Sequence, residues 1–426
     1  MHRSHRSVVV VAAGWLLLSA AAHAAQGPGR LTPAHVAEFK DVQVVRVEVK
    51  EEHEATSATI AADVSRVAGH LLRAVGWDVV ADPDAEAQAL LVMELHGLIG
   101  HVPRRQAGAT AAEGDTPQPL RAGRMAGAYV LAAGRARLGG PLEGPPYAPQ
   151  DADAKPTDRD LLWGAFLRSG CCLSLARMLA DLKEPTAGTV VAGLLKDDDP
   201  AVRIRAADLL GHVKAKETWR TLLASVEPPA NREVIRHVGW ALGELNEPAS
   251  IDAIVAAMEK HKATENDLYL LEGLGKIDAP RARMLFIEKT AERLNHHGNT
   301  AFVYAAHRIF ERRGNAYVAP LLRALSHEKQ AVRTLAALWL SDCFGQATDE
   351  TCAAAVPRIV AALEARGDNA LDAYSRSVLA EILGGIDDPR AVAALKKAAR
   401  DDPDETVRRV AGKALKAGSK NAEPKP

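Results

Sequence analysis

Residues 199–211 read DPAVRIRAADLLG, and residues 231–243, 32 positions on, read NREVIRHVGWALG. Val202-Arg203, Ala206-Ala207 and Leu210-Gly211 of the first stretch align with Val234-Ile235, Val238-Gly239 and Leu242-Gly243 of the second. The pattern returns as Val332-Arg333, Ala336 and Leu340, and again as Val407-Arg408, Val410-Ala411 and Leu415. A second signature follows the first: GELNEP over Gly243–Pro248, GKIDAP over Gly275–Pro280 and GGIDDP over Gly384–Pro389. Self-similarity at a period of this size marks stacked supersecondary units rather than one globular core. The apolar positions recur with the helical period, so each unit reads as two amphipathic helices joined by a turn.

The turn chemistry fits that reading. Gly is expected to close the first helix in a left-handed cap, and Asn or Asp to accept backbone N–H bonds in the turn. Pro then starts the second helix, where its missing donor is not needed. Acidic runs such as Asp197-Asp198-Asp199 precede the next unit and complement its helix dipole. First helices are expected near 199, 229, 264, 298, 328, 369 and 403. The pattern resembles the HEAT-repeat family, in particular the HEAT-like units of phycobilisome bilin lyases, over roughly residues 185–417. The resemblance implies a right-handed α-solenoid of about seven helix pairs, here assigned to 183–417, whose second helices line a concave surface that holds another macromolecule. The bilin-lyase activity itself is not implied.

Upstream, the chain reads differently. Residues 1–24 carry a basic start (Arg3, Arg6), an apolar run from Val8 to Ala21 and the small-x-small pattern Ala22-His23-Ala24. This is the organisation of a secretory signal cut before Ala25. The run is too short for a bilayer span of about 20 residues. An exported protein, periplasmic or secreted, with no membrane span in the mature chain, is the expectation.

Residues 25–140 read as a small α+β module: a strand over 42–50, a helix over 57–75, a short strand from Trp77, and strands over 88–99 and 127–137. Residues 103–122 read as a loop. Residues 141–182 read as a linker and one connecting helix (159–182), and 418–426 as a disordered tail. The whole is mostly α. Because solenoid contacts run between neighbours, residues 185–417 are expected to fold without the first 150.

Composition narrows the function. The chain has 426 residues, 47% hydrophobic and 25% charged, which excludes wholesale disorder. Lys and Arg total 53 against 54 acidic residues, a balance that argues against a nucleic-acid partner. No catalytic constellation emerges. His327-Glu328 begins a zinc-protease box, but Ala331 stands where its second His belongs. His296-His297 are adjacent on a helix and face different ways. Gly273-Leu274-Gly275-Lys276 lacks the rest of a phosphate loop. No catalytic, cofactor or metal residue is therefore assigned.

The binding candidates are basic. Arg220, Arg323, Arg358 and Lys397 fall beside the apolar stripe of successive second helices, a row suited to an acidic partner, although Asp252 interrupts it. Arg308, Arg312 and Arg313 share one helix end and suit a carboxylate or phosphate. Cys343 and Cys352 flank one helix–turn–helix corner, where a disulfide and two separate thiols are equally compatible with the spacing. Cys171-Cys172 are expected to be buried thiols. The leading expectation is a non-enzymatic scaffold or adaptor for protein partners. The alternatives are an accessory or chaperone-like subunit of an enzyme system, and an envelope sensor binding a ligand through the N-terminal module.

Overall fold

A computed structural model describes residues 31–421, apart from 55, 81, 83–84, 103–119, 150–154, 184–185, 298–299 and 346. The expected export segment, most of the 103–122 loop and the last five residues lie outside the described residues. The chain divides into two compact units, Met1–Val238 and Gly239–Pro426.

The first unit opens with helix α1 (Pro33–Phe39) and strand β1 (Val44–Glu54), then α2 (Ala61–Ala74) and β2 (Asp78–Val80). Strands β3 (Ala89–Val102), β4 (Leu120–Ala133) and β5 (Ala136–Glu143) follow. The five strands form one mixed sheet in the order β2-β1-β3-β4-β5. β1 pairs parallel with β2 and β3, in register Val45↔Val79 and Val45↔Ala89, while β3-β4 and β4-β5 are antiparallel. The single strand expected over 127–137 is instead the end of β4, a turn and the start of β5. Gly134, at φ 51°, supplies the left-handed residue of that turn.

The stretch 141–182 is not a linker. β5 runs to Glu143, and the one helix expected over 159–182 is two, α3 (Asp158–Arg168) and α4 (Cys171–Leu182). They separate at Ser169, which is extended (φ −62°, ψ 158°) and whose hydroxyl donates to the Phe166 carbonyl at 2.6 Å. Both belong to the core: α3 lies on β3 and β4, and α4 on β5. The approach of α3 requires a glycine, because a Cβ on Gly123 would sit 2.3 Å from the Leu161 carbonyl oxygen. The buried Tyr129 hydroxyl shares a 2.7 Å hydrogen bond with Ser174, fastening β4 to α4. Helices α5 (Ala187–Ala192), α6 (Pro200–Val213) and α7 (Trp219–Ala224) complete the unit, with α5 against α2 and α6 against α3.

Helix α8 (Arg232–Leu245) spans the boundary between the units. The second unit continues with α9 (Ile251–His261), α10 (Asp267–Lys276), α11 (Pro280–His297) and α12 (Thr300–Ala324). Then come α13 (Gln330–Phe344), α14 (Asp349–Glu364), α15 (Ala373–Gly384), α16 (Pro389–Asp401) and α17 (Glu405–Asn421). The first helices of the repeat are α6, α8, α10, the front half of α12, α13, α15 and α17. α12 is two helices end to end, broken at Arg313 (φ −137°, ψ 17°). α17 continues through 421, so residues 418–421 are helical rather than part of a tail. No helix among the described residues is long and apolar enough to cross a membrane.

The signature glycines do not serve as left-handed caps. Gly211, Gly243, Gly275 and Gly384 lie within their helices, and the left-handed residues are Lys214 (φ 53°) and Asn246 (φ 49°). What these glycines provide is room: a Cβ on Gly275 would meet the Phe286 ring at 2.8 Å, and one on Gly384 would meet Ala414 Cβ at 2.6 Å. The polar turn residues do cap. Asp199, Asn231, Asp372 and Asp404 each accept an N–H bond in the first turn of a first helix, all at 2.8 Å. Asp388 does the same for Pro389–Asp401, accepting from Arg390 N at 2.7 Å. In the core of the second unit, Phe286, Phe310, Tyr317 and Trp339 meet with ring centroids 4.5 to 5.8 Å apart.

Candidate interaction surface

The arginine of the Val-Arg pair has one recurring role. A helical side chain leans toward the helix N-terminus, so an arginine in the first turn reaches back over the preceding turn. Arg203 donates to the carbonyls of Asp197 (2.6 Å) and Asp198 (3.0 Å). Arg333 donates to those of His327 and Glu328, both at 2.8 Å, and Arg408 to those of Asp402 (2.7 Å) and Pro403 (3.0 Å). The offsets are six and five residues each time. Arg333, only 2% exposed, also donates to the Asp368 carbonyl of the following unit at 2.7 Å. Buried Arg376 grips buried Asp402 through two hydrogen bonds of 3.0 Å.

Neighbouring repeats are tied by pairs about one period apart. Asp278 N donates to Asn246 Oδ1 at 2.6 Å, joining successive turns, and Lys276 reaches Glu244 at 3.2 Å. Glu259, Lys289, Glu292 and Lys329 form an alternating chain with N–O distances of 3.0 to 3.1 Å. The hydrogen bond from Lys289 holds Glu259 below the usual carboxylate range. Burial pushes Glu292 up, but bonds from Lys329 and Lys289 overcome it and leave that carboxyl lowered. These residues build the array and are occupied in doing so.

A second polar cluster fixes the start of the repeats to the sheet module. Asp197, fully buried, is ion-paired to Arg66 on α2 and stands 3.3 Å from His70 Nε2. Arg66 also meets Asp63, which Arg159 holds in turn, and Trp163 Nε1 donates to Asp199 at 2.8 Å. Burial lowers the His70 pKa, against the pull of Asp197. Arg66 and His70 of α2 thus converge on Asp197.

Of the expected basic row, Arg220 lies in the first unit and the other three residues lie on successive second helices of the second unit. Arg220 stacks over Trp219, 4.2 Å from the ring centroid, in the first unit. Arg323, Arg358 and Lys397 are exposed on α12, α14 and α16, which pack in succession, and Lys397 is paired to Glu364 at 3.0 Å. Cys343 and Cys352 stand as free thiols in the structure, as do Cys171 and Cys172. Cys343 is buried at the end of α13, where burial pushes its pKa up to about 12, whereas Cys352 is half-buried in the first turn of α14. One thiol thus packs as an apolar residue inside the core while the other faces the turn.

The sequence reading looked to second helices and missed the exposed aromatics of first helices. Tyr374 on α15 is 68% exposed and Tyr304 on α12 is 65% exposed. Both lie off the apolar stripe of their helices, which is the signal that could have found them. Beside Tyr374, between α15 and α17, runs an open groove of about 620 Å³ lined by Glu381, Arg409, Val410, Lys413 and Ala414 among others. An aromatic face, an apolar floor and two cations beside one carboxylate suit a polypeptide better than a small apolar ligand. Among the described residues, no group of three or more His, Cys, Asp or Glu is placed to hold a metal ion.

A family model of HEAT repeats matches residues 187–272. No curated protein matches the chain. Similar solved structures include human deoxyhypusine hydroxylase in complex with glycerol, 19% identical with a TM-score of 0.24, covering 61% of this chain and 91% of that one. Another is the complex of CpcE and CpcF of phycocyanin lyase from Nostoc sp. PCC7120, 16% identical with a TM-score of 0.26, covering 54% of this chain and 94% of that one. The chain thus carries HEAT repeats over the matched stretch, within a helical C-terminal part that follows a small mixed sheet.

Proposed function

We propose that the protein is an exported, non-enzymatic scaffold or adaptor that holds protein partners on its HEAT-like helices. The observation that carries this reading is a division of labour among side chains. The buried polar residues of the array are spent on turns and repeat-to-repeat ties, while Tyr374 stands exposed beside a groove with no such duty. Exposed aromatics of this kind are the usual anchors of protein interfaces. Export rests on residues 1–24, whose organisation is that of a secretory signal.

Affinity capture of the full chain from its host, comparing wild type with Tyr374→Asp, tests the partner role. A discrete protein retained by the wild type and lost from the variant is expected. Equal recovery by both, or none by either, would refute it. N-terminal sequencing of the extracytoplasmic protein should begin at Ala25 or within a few residues, and an intact Met1 in the cytosol would overturn export.

A further inference from the structure

The turn between α10 and α11 faces the break in α12 across an open cavity of about 380 Å³, lined by Asp278, Arg283, Arg312, Arg313, Asn315 and Ala316. Consecutive residues of an unbroken helix point about 100° apart and do not share a target. The non-helical conformation of Arg313 removes that restriction, so Arg312 and Arg313 both line the same space.

The three guanidinium groups are held to different degrees. Arg283 is ion-paired to Asp278, and Arg313 donates to the Lys276 carbonyl. Arg312 has no hydrogen-bond or ion partner among the described residues. Behind them the buried Tyr317 hydroxyl donates to the Gly275 carbonyl at 2.7 Å, which fixes the break against α10. Three cations and one carboxylate leave the lining with a net charge of +2, and Asn315 adds an amide donor. Two positions along the cavity wall are therefore set by the fold, and one cation is left to be satisfied from outside.

We infer that this cavity receives the carboxylates of an acidic segment of a partner protein, with Arg312 and Asn315 as the receiving groups and Arg283 and Arg313 as fixed positive flanks. The inference rests on the partner-binding reading above and names the chemistry of the partner. Two observations favour a peptide carboxylate over a free phosphate. Asp278 in the lining repels a dianion more than a monoanion. One helical turn before Arg312 stands a second exposed guanidinium, Arg308, itself paired to Glu272, and two guanidiniums a turn apart match acidic side chains spaced along a segment rather than a single ion. A guanidinium is suited to the planar, two-oxygen geometry of a carboxylate.

The test is fluorescence anisotropy of labelled hexaglutamate with the full chain, with hexaglutamine as the neutral control and inorganic phosphate as competitor. Hexaglutamate should bind and hexaglutamine should not, and added salt should weaken the binding. Arg312→Ala should raise the Kd about threefold to fivefold, the size of an exposed charge pair, and Arg312→Glu should raise it further. Lys216→Ala, an exposed cation outside the cavity, should leave it unchanged, and all three variants should melt as the wild type does. Unaltered binding by Arg312→Ala, or equal binding of hexaglutamine, overturns the inference. Phosphate that binds as tightly as hexaglutamate and displaces it fully overturns the peptide assignment. If the Tyr374-dependent partner is still captured when hexaglutamate binding proves independent of Arg312, the acidic-segment inference alone fails. If hexaglutamate binding depends on Arg312 but no partner is captured, the scaffold reading is what fails.

Discussion

Arg333 shows how much one side chain can hold. Its guanidinium satisfies the carbonyls of His327, Glu328 and Asp368 from a site almost closed to water. Arg333→Ala should strand those acceptors and cost about 3 kcal/mol in urea unfolding, whereas Arg203→Ala, half-exposed and bonded only within its own turn, should cost less. Equal losses would deny Arg333 its link to the next repeat. Asp388 supplies a pH test. Hydrogen bonds from Arg390 lower its pKa to about 2. A carboxylate depressed below its unfolded value of about 3.9 contributes stability above that pH and loses it as the pH falls toward 2. The Tm difference between wild type and Asp388→Asn should therefore be full at pH 7 and shrink across that window; a difference independent of pH would contradict it. At the cysteines, alkylation at neutral pH should modify half-buried Cys352 well before Cys343, since the reacting species is the thiolate. Faster modification of Cys343 would mean that α13 opens readily.

Among elements, the helical period and the turn residues located the repeats but not how closely they pack. Gly239 and Gly273 read as weak points in helices, since Gly is a poorer helix former than Ala by about 1 kcal/mol. Their use is visible only across the interface: a Cβ on Gly239 would lie 2.2 Å from the Tyr269 carbonyl oxygen, and one on Gly273 2.3 Å from that of Gly239. Gly239→Ala should thus destabilise by about 1–3 kcal/mol in denaturant unfolding despite its better helix propensity. A stabilised variant would show that α8 and α10 can separate freely. The same blindness to contact explains the misread elements. Ala-Ala-Gly-Arg-Ala over 132–136 carries a single glycine through a hairpin, and over 161–175 the turn signal Ser169-Gly170 is masked by apolar runs that keep the helical period on both sides. The helix end expected at Arg312-Arg313 is the break in α12, next to Gly314-Asn315, but the cavity beside it was legible only as nearby arginines, because what faces them comes from another turn.

For the whole chain, composition and repetition indicated a mostly helical array behind a small mixed module, and the family match over 187–272 bears on the same region. The boundaries were not legible, because a boundary is set by what packs on what. The first compact unit extends to Val238, well into the repeats. α5 lies against α2, and Gly193 sits where an added Cβ would meet the Ala74 Cβ and the His70 carbonyl oxygen at 3.1 Å. A fragment starting at 185 should therefore stay helical yet lose hydrogen-exchange protection in α5 and α6; full protection there would restore the simpler boundary. The arginine that reaches five and six residues back has a different consequence. Both ends of that bond lie within one short stretch of gene, so duplication of a repeat copies the bond intact. Ties such as Asn246 to Asp278 or Glu244 to Lys276 have their ends in different copies and must be matched afresh at every new junction. Such a chain can change in length by whole repeats, with its evolutionary difficulty confined to the joints.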